Sequence, residues 1–367
     1  MNLSCMARKS LSCAPMSHRP EMAMRCRMRF LLKKLVQNAF SRRNLVCVAM
    51  VFFFLCGQLS TSTLRWKLSD TQVREIEHIV NKLQHNDGFI YLLFTTKGYV
   101  NFTQSWMCNL QLSGFTATFR KTLFITESEE TERLLLQINP ALHVYSISSE
   151  TLPILAPYGT LRYYHAALQR LQVQHAILRA GINVVCIESD SVWLSEIDKD
   201  VTEALEHHEM FSMPEYAKDD TNRSHPMIAA GFSGYRSTPF VLKVFGTYVK
   251  TYKNAVFKHR HMREDTILGH IGEQLILTNM LRSHDSYYPV HWLDRCEFAS
   301  GRWYDEKDYQ EDCPHPKAIQ FNWVSGMSAK IERAVKWGHW YLYDNGTCAM
   351  PGVQGSQNGV AKSDQKN

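Results

Sequence analysis

The sequence predicts an α/β fold, a mainly parallel sheet flanked by helices, preceded by a single N-terminal transmembrane helix. Three observations carry this reading. Short apolar runs alternate with helical patterns from residue 86 onward. A stretch without charge separates Arg43 from Arg65. Ten Lys/Arg crowd the first 43 residues against Glu21 alone, so a chain of net charge +6 has an acidic remainder. That distribution indicates a basic arm and excludes a basic domain built to grip nucleic acid.

Residues 1–43 read as a cytosolic basic tail, because positive charge flanks the apolar segment almost wholly on its N-terminal side. Residues 44–64, "NLVCVAMVFFFLCGQLSTSTL", approach the ~20 residues that cross a bilayer as a helix. The charged region before them is far longer than that of a cleaved signal peptide, so an uncleaved signal anchor is expected. Residues 65–85 have Val73, Ile76, Ile79, Val80 and Leu83 at helical spacing and read as a short stem or the domain's first helix. Residues 86–345 form one domain, and 346–367 make a polar, Gly-rich, disordered tail.

Within the domain "GFIYLLFTT" reads as a buried strand and "VNFTQSWMCNLQLSG" as a helix. "KTLFITES" is a second strand, "EETERLLLQIN" a helix and "LHVYSIS" a third strand. Leu161, Tyr164, Leu168, Leu171, Ile177 and Leu178 then lay an apolar stripe along a helix ending near Gly181, and "INVVCI" is the fourth strand. Of ten cysteines, Cys108, Cys296, Cys313 and Cys348 lie beyond the anchor outside any apolar strand, which allows three disulfide pairings. Cys296–Cys313, closing a short acidic and aromatic loop, is the first choice, with Cys186 a free buried thiol. The sequons at Asn101, Asn222 and Asn345 agree with a lumenal glycoprotein.

In open α/β sheets ligands bind beyond the carboxyl ends of the strands. Glu188 and Asp190 of "CIESDSVWL" occupy such an end, as do Thr95 and Thr96 of "FTTKGY". Residues two apart on a strand point to the same side, so both carboxylates have the placement to face one hard cation. An acid and serine cluster that only caps the next element is the competing reading.

"GINVVCIESDSVWL" resembles the acidic DxD strand end of nucleotide-sugar glycosyltransferases with the GT-A fold. It is most similar to the nucleotide-diphospho-sugar transferase domain family that includes the plant rhamnogalacturonan II xylosyltransferases. "IAAGFSGYRSTP" (228–239), "GEQLIL" (272–277) and "KAIQFNWVSGMSAKIERAVKWGHWYL" (317–342) agree with that family's later blocks in order and approximate spacing.

The resemblance implies a GT-A-like Rossmann-type fold and a Golgi type II membrane enzyme. That enzyme would transfer a sugar, with retention, from a nucleotide-sugar, expected to be UDP-linked, to a glycan or glycoprotein. Asp190 would hold Mn²⁺ or another divalent cation, with Glu188 and Gln320 completing the metal set or Glu188 meeting the ribose. Gly326, Lys330 and Asn322 would contact the donor, and Glu273 and Gln274 would lie near the reacting carbon. Two departures stand out: Glu188 replaces the usual first Asp, and Gln320 replaces a metal-binding His, with His315 and His339 as possible substitutes. They support a rival reading, a catalytically silent glycan- or nucleotide-binding relative. A metal-dependent phosphoesterase would need more His and Asp ligands than the clear blocks supply.

Overall fold

The computed structural model describes residues 67–83, 88–147, 158–216, 226–263, 265–268, 271–282 and 290–349. The expected basic tail and anchor, Asn222, and residues 350–367 of the expected tail lie outside them. Among the described residues no helix is long and apolar enough to cross a membrane.

The strands are β1 (Phe89–Thr95), β2 (Thr122–Thr126), β3 (His143–Ser146), β4 (Asn183–Ile187), β5 (Ser191–Trp193), β6 (Met210–Glu215), β7 (Met227–Tyr235), β8 (Val290–Trp292), β9 (Phe298–Ala299) and β10 (Ala318–Gln320). The helices are α1 (Asp70–Lys82), α2 (Val100–Leu112), α3 (Ala117–Arg120), α4 (Glu129–Ile138), α5 (Leu161–Arg179), α6 (Asp198–His207), α7 (Pro239–Phe257), α8 (Glu273–Arg282), α9 (Lys307–Asp312) and α10 (Met327–Lys336).

The main sheet runs β3-β2-β1-β4-β7-β6-β8. Its first four strands are mutually parallel, as the alternation of strands and helices predicts. β7 then runs antiparallel to both β4 and β6, while β6 and β8 are parallel again. The sheet is therefore mixed, with parallel pairing in the majority.

β1 shows why its sequence is a continuous apolar run. Ile90 and Leu92 face one core with residues of α1, α5, α7 and α8, while Phe89, Tyr91 and Leu93 face a second with residues of α2, α4 and α6. A strand covered on both faces has no polar side to alternate with. α1 starts at a capping box between Ser69 and Gln72 and buries Ile76 and Val80 in the first core. Residues 70–82 thus belong to the domain's core as its first helix rather than to a stem.

A smaller sheet, β5-β10-β9, organises a third core of Trp303, Tyr304, Phe321, Trp340 and their neighbours. Two disulfides staple this region: Cys296–Cys313, and Cys108–Cys348, which ties α2 to the chain's last described turn. Cys186 is free and buried.

Candidate functional site

β4 ends at Ile187 and the chain turns sharply, the Ser191 hydroxyl donating to the Glu188 carbonyl at 2.8 Å. Its neighbour β7 runs the other way, and Ile187 lies opposite Phe232, so β7 continues past the end of β4. Gly231 therefore sits beside Glu188. A Cβ at Gly231 would stand 2.2 Å from Gln320 Nε2 and 2.5 Å from Glu188 Oε2, so any side chain there would push both groups aside. Gln320 arrives from β10, which pairs antiparallel with β5 in the register Gln320 to Ser191. The Phe321 amide donates to the Asp190 carbonyl at 2.7 Å and locks the two segments together.

Asp190 is buried, and its carboxylate is in direct contact with the Lys330 ammonium of α10. Burial pushes the Asp190 carboxyl up to about 6, against the pull of Lys330 and with the push of Glu188. Burial alone would lower the Lys330 ammonium, but Asp190 and Tyr99 raise it, so the pair is charged at neutral pH. Glu188 is more open, with its side chain 37% exposed. Its Oε1 meets Arg170 at 3.1 Å, and the same guanidinium reaches Glu273 at 2.6 Å.

On the far side of Gln320 stands Asn322. Its Oδ1 accepts from the Gly301 amide at 2.5 Å, and its Nδ2 donates to Gln320 Oε1 at 3.0 Å and Glu215 Oε2 at 2.9 Å. The Trp323 indole N–H donates to the other Glu215 oxygen. Trp323 adopts φ 64°, a left-handed backbone rarely taken by a bulky residue and costing about 1–3 kcal/mol. Its indole bond to Glu215 and the Arg302 guanidinium over its ring hold it there, with the residue 37% exposed. Burial pushes the Glu215 carboxyl up to about 7, although Trp323 and Asn322 both donate to it.

Most expected site residues meet here. Asp190, Glu188, Gln320, Asn322 and Lys330 form one cluster, and Gly326, at φ 92°, precedes the α10 turn whose Lys330 amide donates to its carbonyl at 3.3 Å. Glu273 joins only through Arg170, with its carboxylate buried in that ion pair. Gln274 is bound to the backbone, its Oε1 accepting from the Ala230 amide at 3.3 Å. Thr95 departs from expectation: its hydroxyl is buried against that of Thr103 at 2.9 Å, and strand alternation leaves Thr96 on the other side. His339 is no substitute ligand, because its Nδ1 pairs with the Tyr304 hydroxyl at 2.8 Å inside the third core. His315 is exposed.

Arg170, Glu215 and Tyr99 are functional candidates that the sequence reading passed over. Arg170 is a lone cation beside Leu168 and Leu171 on a buried stripe, and Glu215 is another acid closing an apolar strand. The second is a signal of the kind that singled out Asp190.

Residues 118–334 match the model of the nucleotide-diphospho-sugar transferase family, a span that includes Glu188, Asp190, Gln320 and Lys330. The chain belongs to this family. The transferase is thus a glycosyltransferase by class. Solved structures similar to it include mouse xyloside xylosyltransferase 1 in its apo form, at 13% identity over 65% of this chain and 99% of that one, TM-score 0.39. The galactosyltransferase LgtC, in complex with donor and acceptor sugar analogues, is similar at 10% identity over 68% and 96%, TM-score 0.43. Core-mannan synthase A from Aspergillus fumigatus, in a Mn/GDP form, is similar at 12% over 59% and 75%, TM-score 0.32. No curated protein sequence matches the transferase.

The residues expected to hold a divalent ion fit that role poorly. Each carboxylate already has a cation on one oxygen, Arg170 at Glu188 and Lys330 at Asp190. The Gln320 oxygen is taken by Asn322. No group of three or more His, Cys, Asp or Glu able to hold a metal occurs among the described residues.

Glu215 gives the transferase a pH signature. Its carboxyl titrates near 4.5 when unfolded and about 7 when folded. Below the lower value both states are protonated and the group costs nothing. As pH rises through this window the unfolded state ionises first, so stability falls, by on the order of 3 kcal/mol in total. Urea denaturation across pH 4.5–8 is expected to show that decline in the wild type and a flatter profile in Glu215→Gln. Identical pH profiles would contradict the assignment.

Proposed function

We propose that this transferase moves a sugar from a nucleotide-diphospho-sugar, UDP-linked by family resemblance, to a glycan or glycoprotein acceptor. Retention of the anomeric configuration belongs to the same proposal and rests on that resemblance. The observation that carries the reading is the Asp190–Lys330 contact beyond the carboxyl end of β4.

The residues suit the chemistry. Breaking the bond between sugar and diphosphate leaves charge on the departing phosphate, and a fixed cation in a buried site stabilises it. Lys330 is that cation: Asp190 aims it, and an ammonium has three N–H groups, so one contact to Asp190 leaves others for phosphate oxygens. The absent Cβ at Gly231 makes room for the Gln320 amide and the Glu188 carboxylate to pack beside the strand. Glu188 keeps Oε2 for a ribose or sugar hydroxyl while Arg170 fixes Oε1. Exposed Trp323 lies at the edge of the same cluster, where an acceptor sugar has room to arrive.

The experiment is a calorimetric titration of the purified full-length protein with a panel of nucleoside diphosphates. At least one is expected to bind. Lys330→Ala is expected to weaken it by about tenfold or more, the loss of a charge-assisted hydrogen bond. Binding indifferent to that substitution would remove Lys330 from the site.

We propose further that residues 44–64 anchor the protein as a single-pass type II Golgi enzyme with its catalytic domain in the lumen. Two disulfides and the exposed sequon residues Asn101 and Asn345 support an oxidising, glycosylating compartment. Endoglycosidase treatment of protein from cells is expected to shift it down toward its calculated 42.5 kDa while an N-terminal tag is kept. Loss of the tag from the mature protein would refute the anchor.

A further inference from the structure

We infer that the transferase holds the diphosphate of its donor directly, through Gln320 and Lys330, and does so without a divalent ion. This rests on the proposed function and concerns how the same site works.

Gly301 N–H can only donate, so the Asn322 atom it meets at 2.5 Å is the oxygen. The glycine is obligatory, since a Cβ there would stand 1.9 Å from the Asn322 carbonyl oxygen. Arg333 braces this arrangement, donating to the Asn322 carbonyl at 2.5 Å and the Gly301 carbonyl at 3.2 Å. With Oδ1 assigned, the other side of the Asn322 amide is a donor, as the Glu215 carboxylate beside it also requires. That donor meets Gln320 at 3.0 Å, so the Gln320 atom facing it is the oxygen. A relay of three groups thereby settles which way the Gln320 amide points, a choice otherwise ambiguous between nitrogen and oxygen.

Its nitrogen is consequently turned toward Glu188 and Gly231. Gln320 is 6% exposed, and Nε2 has no hydrogen-bond partner in the structure. A buried donor without a partner costs about 1–3 kcal/mol, a cost that an incoming acceptor would lift. A divalent ion needs the opposite, oxygen lone pairs, which it takes from carboxylates, substrate phosphates and water. Here the third expected ligand offers N–H, and the two carboxylates already face Arg170 and Lys330, whose charges repel a second cation. What the cluster offers to a ligand is N–H from Gln320 and Lys330, and the matching chemistry is a row of phosphate oxygens.

The test is calorimetry on the purified full-length protein with uridine diphosphate and guanosine diphosphate, in EDTA and in millimolar Mn²⁺. The better ligand is expected to bind with affinities within about threefold in the two buffers. Gln320→Leu, which keeps the bulk and removes the donor, is expected to weaken binding in EDTA by roughly three- to tenfold. The unchanged wild type carries the buffer comparison if that variant folds poorly. Binding that requires Mn²⁺ overturns the inference and leaves the proposed function standing. An unaltered affinity in folded Gln320→Leu also overturns it. A folded wild type that binds neither nucleotide in either buffer sinks both readings.

Discussion

A buried carboxylate stays charged only where a cation or several donors face it, and Asp190 meets that constraint through Lys330. The two residues lie far apart in sequence, one in the turn after a central strand and the other on the last described helix. For them to meet, the C-terminal third must fold back over the open end of the sheet and stay there. Much of the protein's less regular architecture serves that return. β10 zips against β5 immediately after Asp190, and the Phe321 amide bonds to the Asp190 carbonyl. Arg333 on α10 then ties the helix to the backbone of Gly301 and Asn322. The two disulfides close this wrapping segment onto itself and onto α2.

The second charge at the strand end is managed differently. Glu188 is more exposed and shares Arg170 with Glu273, so one guanidinium joins the ends of β4 and α8 through the long helix α5. Removing Arg170 would leave Glu273 buried without its cation, a loss that falls on stability as well as on the site. The two carboxylates two residues apart thus belong to separate ion pairs, Asp190 reaching toward the C-terminal helix and Glu188 toward the sheet's other face. Beside Glu188 lies Gly231, bare because Gln320 and Glu188 fill the space a side chain would need.

The first half of the domain was legible because its signals are local. β1, β2 and β4 are apolar runs buried on both faces, and α5 opens at Thr160, whose side chain accepts from the Tyr163 amide. The segment "RSTP" likewise opens α7, with Thr238 as cap and Pro239 at the first turn. β5, β9 and β10 have two or three residues each, too few for any period to show, and their pairing is set by the wrapping of the chain. Asp190 and Lys330 were legible through family resemblance, whereas the direction of the Gln320 amide depends on a backbone N–H at Gly301. No sequence pattern encodes that. Thr95 misled for a related reason: its position at a strand end is a matter of sequence, but which way its hydroxyl turns depends on Thr103 one helix away.

On the proposed function, the Asp190–Lys330 pair marks the place where a nucleotide-sugar is broken. The most direct measurement is release of nucleoside diphosphate by the purified full-length protein from a panel of nucleotide-sugars, compared with Asp190→Asn. That substitution keeps the shape of the side chain and removes the charge that aims Lys330. Turnover of at least one donor by the wild type is expected, with its loss in the variant and folding intact. Turnover that persists undiminished in Asp190→Asn, or a folded wild type that releases nucleotide from no donor, would contradict that function.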